Sequence, residues 1–365
     1  MTGPIDRRSP AILLTLLVGL GPAGSATPSR SGDWSSETGN APDSEQVSEG
    51  RLLVLNKHDN TLMVFDVPSY GRLATIPVGK EPHEVVATPD GRKAYVSNVL
   101  DKTISVIDLA GQRVVRTLRS EHFELPHGMG VTPDGRYVLL TSEGSRRFFL
   151  IDATRDVILR SVTTTQARAH MVAVLAGGRK AFAANVDSDT VTLLRLPELR
   201  IVKHIRVGDG PEGIDATPNG KWVLVALQGA DQVAILEAGS GAVLARLPTG
   251  RVPVRVAVTP NSFTALVSNR ASNDVTVLDV LERRVKTTVR VGQRPGGVTT
   301  DARGSRAYVC NNDSNSVSVL SIPGFEVVQT IAAGAHPDGI AFVPTRAASG
   351  KPRTGSARSS SRSRR

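Results

Sequence analysis

The chain has 365 residues, is 40% hydrophobic, 21% charged and 4% aromatic, and carries a formal net charge of +10. That apolar fraction suffices for a real core and excludes wholesale disorder. The single cysteine, Cys310, excludes an intramolecular disulfide framework, a paired-cysteine zinc site and a haem-attachment motif, and the scarcity of aromatics argues against a stacking platform for sugars or single-stranded nucleic acid.

At the N-terminus, Asp6-Arg7-Arg8 precede an uncharged run from Ala11 to Gly21, and small residues follow at Gly24-Ser25-Ala26. A charged, then apolar, then small-residue order reads as an export signal over residues 1–26, cleaved after Ala26. The run falls short of the roughly 20 apolar residues a membrane span needs. No cysteine follows it, so a lipoprotein anchor is excluded. The expectation is a periplasmic or secreted protein whose mature form has no transmembrane span. Residues 27–50 are rich in Ser, Gly, Asp and Glu without apolar periodicity, and read as a flexible linker.

A repeat follows. PHEVVATPDG begins at Pro82, PHGMGVTPDG at Pro126, AHMVAVLAGG at Ala169, PEGIDATPNG at Pro211, PVRVAVTPNS at Pro253, PGGVTTDARG at Pro295 and PDGIAFVP at Pro337. A second landmark keeps the same register: TLMVFD from Thr61, TISVID from Thr103, RFFLID from Arg147, TVTLLR from Thr190, QVAILE from Gln232, DVTVLD from Asp274 and SVSVLS from Ser316. Both recur every 42–44 residues. Each unit holds four short β-branched runs; in the second unit these are Glu84–Thr88, Lys93–Ser97, Thr103–Asp108 and Arg113–Leu118. Turn residues separate them. Four strands in about 42 residues is the mark of a propeller blade.

The ends give the blade count. The motif at Pro337 starts an inner strand with no successors, and the chain after Gly50 starts with three strands that lack an inner one. The predicted fold is therefore all-β: a seven-bladed β-propeller of four-stranded antiparallel blades over residues 51–344. The ring closes by pairing the C-terminal inner strand with the N-terminal three. Closure removes open sheet edges. Residues 345–365 are Ser, Gly and Arg with no acid, and read as a disordered basic tail. Seven of the positive charges lie in that tail, so the net charge is weak evidence for nucleic acid. Only non-specific polyanion contacts through the tail are expected.

YVSN at Tyr95–Asn98, YVCN at Tyr308–Asn311, the TPDG turns and the TISVID strand resemble the YVTN-repeat β-propellers. The likeness covers essentially all of 51–344; LAGG at Leu175–Gly178 and DARG at Asp301–Gly304 depart from the turn pattern. The resemblance implies an exported propeller. It extends more distantly to seven-bladed lactonases and to the haem-binding propellers of some nitrite reductases.

In a four-stranded meander, the link into the inner strand and the link between second and third strands share one end, here called the upper face. Six of the seven histidines map to it: His58, His83, His122, His127, His170 and His336; His204 sits on an outer strand. His83, His127 and His170 hold the same position in three consecutive blades. Three imidazoles with an open position could hold a divalent transition metal, the one cofactor the sequence points to. The same position elsewhere holds Glu212, Val254, Gly296 and Asp338, and Arg255 follows one residue later. Arg168, Arg251 and Arg294 add charge in the links. The candidate ligand site is therefore His83, His127, His170, Glu212, Arg255 and Asp338 at the channel mouth. It suits a small polar ligand, a metal ion or a partner loop, carried by a monomeric binding or scaffold protein. The rival reading is a propeller enzyme, a metal-assisted lactonase-like hydrolase or a cofactor-binding propeller. There the three histidines would be ligands and Glu212 or Asp338 the general base. Asn56, Asn98, Asn185, Asn269 and Asn311 end second strands, and Asp66, Asp108, Asp152 and Asp279 end third strands; both sets read as turn formers. Cys310 reads as a buried small hydrophobe.

Overall fold

The computed structural model describes residues 47–345. The export signal, most of the linker and most of the tail expected from the sequence lie outside the described residues. Twenty-eight strands, β1 to β28 in chain order, form seven four-stranded antiparallel sheets. Two single-turn 3-10 helices, Val186–Ser188 and Asn312–Ser314, are the only helical elements among the described residues. No helix among them is long and apolar enough to cross a membrane.

The second blade shows the pattern: β4 (Pro82–Ala87), β5 (Lys93–Asn98), β6 (Thr103–Asp108) and β7 (Arg113–Arg119) pair in order. The first blade is the closure. Its order is β28 (Pro337–Pro344), β1 (Gly50–Asn56), β2 (Thr61–Val67), β3 (Arg72–Pro77), so the last strand pairs with the first. The ring takes in residues just before position 51: Gly50 opens β1, and the Ser48 amide donates to Asp301 Oδ2 at 3.3 Å.

Why the second strands are so apolar follows from the packing. Both faces of each blade meet a neighbour. Along β1, Leu53 and Leu55 pack with Val85, Val96 and Ile107 of the second blade. Leu52 and Val54 point the other way, onto Tyr308, Val317 and Val319 of the seventh. Alternate residues thus fill alternate seams, and a wholly apolar run results. Cys310 lies in that closing seam, fully buried; burial pushes its thiol pKa well up, with Asp338 adding to the effect. The outer strands need only one buried side. β7, RVVRTLR, keeps Leu118 inside and exposes Arg113, Arg116 and Arg119. Charged edges of this kind discourage pairing with another chain.

Recurrent turns fix the blades. Gly91 adopts φ +68° and its amide donates to Thr88 O at 2.8 Å. The LAGG departure makes the same turn, with Gly178 at φ +66° bonded to Leu175 O at 2.7 Å. Asp108 Oδ1 accepts from the Ala110 amide and Asp152 Oδ1 from Thr154, so these aspartates are turn formers as expected. The asparagines bond across their own links as expected, but with extended backbone. Asn185 and Asn311 are extended, at φ −121° and −106°. They do not form left-handed turns; they bridge strands. Asn311 Nδ2 donates to Ser316 Oγ at 3.1 Å and Ser318 Oγ at 2.9 Å, and its Oδ1 accepts from the Gly292 amide. The positive φ falls instead on the residue before each third strand, such as Lys102 and Asn315.

Candidate functional site

The mouth of the channel is built by one hydrogen bond repeated around the ring. In every blade, the residue after the second strand donates its amide to the carbonyl of the residue before the inner strand. Examples are Lys57 to His336, Val99 to Glu81, Glu143 to Leu125 and Arg270 to Val252, at 2.9–3.1 Å. Each accepting residue has positive φ, from Glu81 at 50° to Gly210 at 60°. Six of these seven positions hold a side chain other than glycine, and Val252 there is β-branched. Backbone in this region is strained for such residues and persists only where the surroundings enforce it. The two upper links are thereby clamped together, and in five blades the residue that starts the second-to-third-strand link, Lys57, Val99, Glu143, Arg270 or Asn312, lines the mouth beside the ring position.

His83, His127 and His170 stand in a row. The His83 and His127 ring centroids are 3.7 Å apart, His127 and His170 3.9 Å, and the two ends 6.3 Å. His127 Nε2 lies 3.1 Å from His83 Nε2. Glu143 caps the row: its Oε1 is 3.5 Å from His170 Nε2 and 3.8 Å from His127 Nε2. Burial holds all three imidazoles well below their ordinary pKa, and neighbouring arginines add to the effect, so the rings are neutral. Burial likewise pushes the Glu143 carboxyl up to about 7, against the pull of Arg168. The three Nδ1 atoms and Glu143 Oε1 are buried without a hydrogen-bond partner.

Below this row the channel is blocked. Arg255 Nη2 reaches Glu84 Oε1 at 2.6 Å, and its Nη1 lies 3.4 Å from Glu212 Oε1. Burial works against the guanidinium charge, but Glu84, Asp338 and Glu212 outweigh it and keep Arg255 protonated. Arg270 approaches Glu212 at 3.7 Å. Burial raises the Glu212 carboxyl, and Arg255 and Arg270 restrain it. Asp338 is opposite in sign: burial would raise it, but Lys57 at 3.0 Å, with Arg255 and Arg270, holds it well below the usual carboxylate range. Above the block is a cavity of about 250 Å³, lined by the three histidines, Glu81, Glu143, Glu212, Asp338, Lys57, Arg168, Arg270, Arg294 and Asn312 among others. Beneath it, a cavity of about 220 Å³ is lined by Glu84, Asp215 and Arg255 together with apolar side chains such as Met129, Met171 and Ile214.

The inner strands can crowd round this channel because of glycine. A Cβ on Gly128 would lie 2.1 Å from His170 O, and one on Gly297 would lie 2.1 Å from Asp338 O. Gly213 and Gly339 also approach the next inner strand, where a Cβ would lie 2.6 Å and 2.4 Å from its backbone. These four share the register of Glu84, Met171 and Arg255, the only side chains projecting there.

The sequence of this ring also has relatives. The model of the YNCE-like beta-propeller family matches residues 9–340. The chain belongs to that family. Antigen Lp49 of Leptospira interrogans is 23% identical to this YNCE-like propeller over 186 residues, 49% of the chain. The chain spans only 40% of that protein's length. Among solved structures, hydrazine synthase of Kuenenia stuttgartiensis superposes with a TM-score of 0.69 at 20% identity, covering 79% of this chain and 99% of that one. A functionally unknown protein from Desulfotomaculum acetoxidans DSM 771 gives 0.72 at 16% identity, covering 81% and 99%. At these identities the likeness concerns the fold alone.

The YNCE-like propeller brings the expected residues to one place. The three histidines, Glu212 and Asp338 line the upper cavity. Arg255 corrects the expectation of a mouth charge: it lies within the channel, 5% exposed, neutralised from two sides. Arg251 turns away and donates to the Ala271 carbonyl. His58 and His336 stack at 4.6 Å on the rim, and His204 bonds Thr192 on the outer strand side. Asp338 and Glu212, the carboxylates expected as bases, are both tied to cations. Glu84, Lys57, Glu143 and Arg270 were not singled out from the sequence. Lys57, Glu143 and Arg270 had a legible signal, since each directly follows the last residue of a second strand.

Proposed function

We propose that the protein is an exported binding protein that loses residues 1–26, carries residues 27–46 as a linker and 346–365 as a basic tail, and holds a small polar ligand in the upper mouth of its propeller. The observation that carries this reading is the block across the channel. Arg255, held between Glu84 and Glu212, stands between the charged upper cavity and a second cavity below it, which Glu84 and Asp215 help to line. A concave chamber with convergent polar groups is the usual form of a small-molecule site. Its lining mixes acids and bases from several blades, which favours a compact polar ligand over a basic-stripe partner such as duplex nucleic acid. The closed ring and its charged outer strands favour a monomer. The antigen relative is in keeping with export.

Thermal melting of the untagged protein with phosphate, citrate and divalent metal salts tests this. Saturating a site at 100 times its Kd adds about 2.7 kcal/mol of stability. At least one probe should raise Tm by several degrees, and Lys57→Ala with Arg270→Ala should reduce the rise for an anionic probe. A panel that leaves Tm unchanged overturns the reading.

A further inference from the structure

Donor atoms of His127, Glu143 and His170 lie within 4.8 Å of one another at the mouth, and His83 Nε2 stands 3.1 Å from His127 Nε2. We propose that His127, His170 and Glu143, with His83 as the fourth donor, bind one divalent transition-metal ion, zinc or a first-row neighbour. This names the ligand class of the upper pocket and so rests on the reading of that pocket as a binding site.

Three of the six edges of such a site already lie near the length a coordination polyhedron needs. Zinc bonds nitrogen and oxygen at about 2.0–2.2 Å, so ligand atoms in a tetrahedron stand about 3.3–3.5 Å apart. The three measured edges are 3.1 Å for His83 to His127, 3.5 Å for His170 to Glu143 and 3.8 Å for His127 to Glu143. His127 is common to two of them, which makes it the central ligand. The donor set, imidazole with one carboxylate, selects transition metals over calcium and magnesium, which take oxygen.

Alternative partners for these groups are missing or already used. Glu143 Oε1 is buried with no hydrogen-bond donor of its own. A buried carboxylate oxygen left bare is costly, and a cation relieves it. Glu84, also close to His83, is taken by Arg255 at 2.6 Å, and Asp338 Oδ2 by Lys57 at 3.0 Å. Those two acids therefore lie beside the site rather than in it. Their cations leave Glu143 as the carboxylate least neutralised near the histidines: its nearest cation, Arg168, stands off at 3.8 Å and leans also to Asp187.

The test is a titration of the chelator-treated, untagged full-length protein with zinc by calorimetry and with cobalt by visible absorption. The expected result is one equivalent of zinc bound with a Kd of about 1 μM or tighter, and a cobalt ligand-field band of tetrahedral intensity that zinc displaces. His127→Gln should abolish the band, Glu143→Gln should weaken zinc binding at least tenfold, and His204→Gln should change neither. The cobalt spectrum of the wild type reports the site even if a variant folds poorly. Absence of binding by the wild type, or full retention of affinity in both His127→Gln and Glu143→Gln, overturns the proposal. Loss of metal binding while phosphate or citrate still raises Tm overturns the metal alone; loss of both overturns the pocket as well.

Discussion

The Arg255 guanidinium donates to Glu84 at 2.6 Å although 171 residues separate the two. Their inner strands, β20 (Pro253–Val258) and β4, are not neighbours in the ring. The pair therefore reaches across the channel axis.

Breaking this pair should cost more than an ordinary contact. Glu84→Ala leaves Arg255 buried with Glu212 at 3.4 Å as its nearest acid. Removing one partner of a buried ion pair costs about 3–5 kcal/mol. Urea unfolding at neutral pH should show a loss of that size. The double variant Glu84→Leu with Arg255→Met should recover most of it, because no charge is then left uncompensated. A loss below 1 kcal/mol in Glu84→Ala would mean that the pair behaves like a surface ion pair.

Gly297→Ala should loosen the ring. The added methyl would fall 2.1 Å from Asp338 O and 3.0 Å from Ile340 Cγ2, both on the neighbouring inner strand. Relief requires backbone movement, and overpacking costs about 1–3 kcal/mol or more. Gly177→Ala provides the contrast, since a Cβ there meets nothing within 4 Å; its midpoint should stay within about 0.5 kcal/mol of wild type. Equal behaviour of the two variants in denaturant titrations would refute the close-approach account.

Asp215, in the lower chamber, sets a pH dependence. Burial pushes its carboxyl up to about 6, although the Ala216 and Val258 amides donate to it. A pKa raised on folding contributes stability below the unfolded value near 4 and loses it as pH rises through about 6. The span is worth on the order of 3 kcal/mol. Asp215→Asn cannot ionise, so its stability relative to wild type should climb between pH 4 and 6 and level off above. Unfolding curves of the two proteins across that range measure it; a constant difference would show that Asp215 is not shifted.

Much of the site was legible before folding was considered. A repeat every 42–44 residues assigns every side chain a place in one blade, and equivalent places form a ring. That put His83, His127 and His170 side by side. The same counting reaches Lys57, Glu143 and Arg270, which open the links beside them. Glu84 was not legible. In all the inner strands the pairing register slips near the mouth, between Pro82 and Glu84 in β4. The slip decides which side chain enters the channel, and alternation along the strand does not report it.

The sequence by itself determined the ring: strand periodicity, turn residues and a chain that ends on the strand its beginning lacks admit one closure. Only the tertiary structure decided what the ring encloses. Periodicity is a property of neighbours along the chain and around the circle. A contact across the axis depends on how tightly seven inner strands converge, which glycines such as Gly128 and Gly297 set by the side chains they omit. Arg255, which reads from its position as one more charge at the mouth, thereby becomes the floor beneath it. Glu143, which reads as the start of a loop, becomes the carboxylate that faces two of the three histidines.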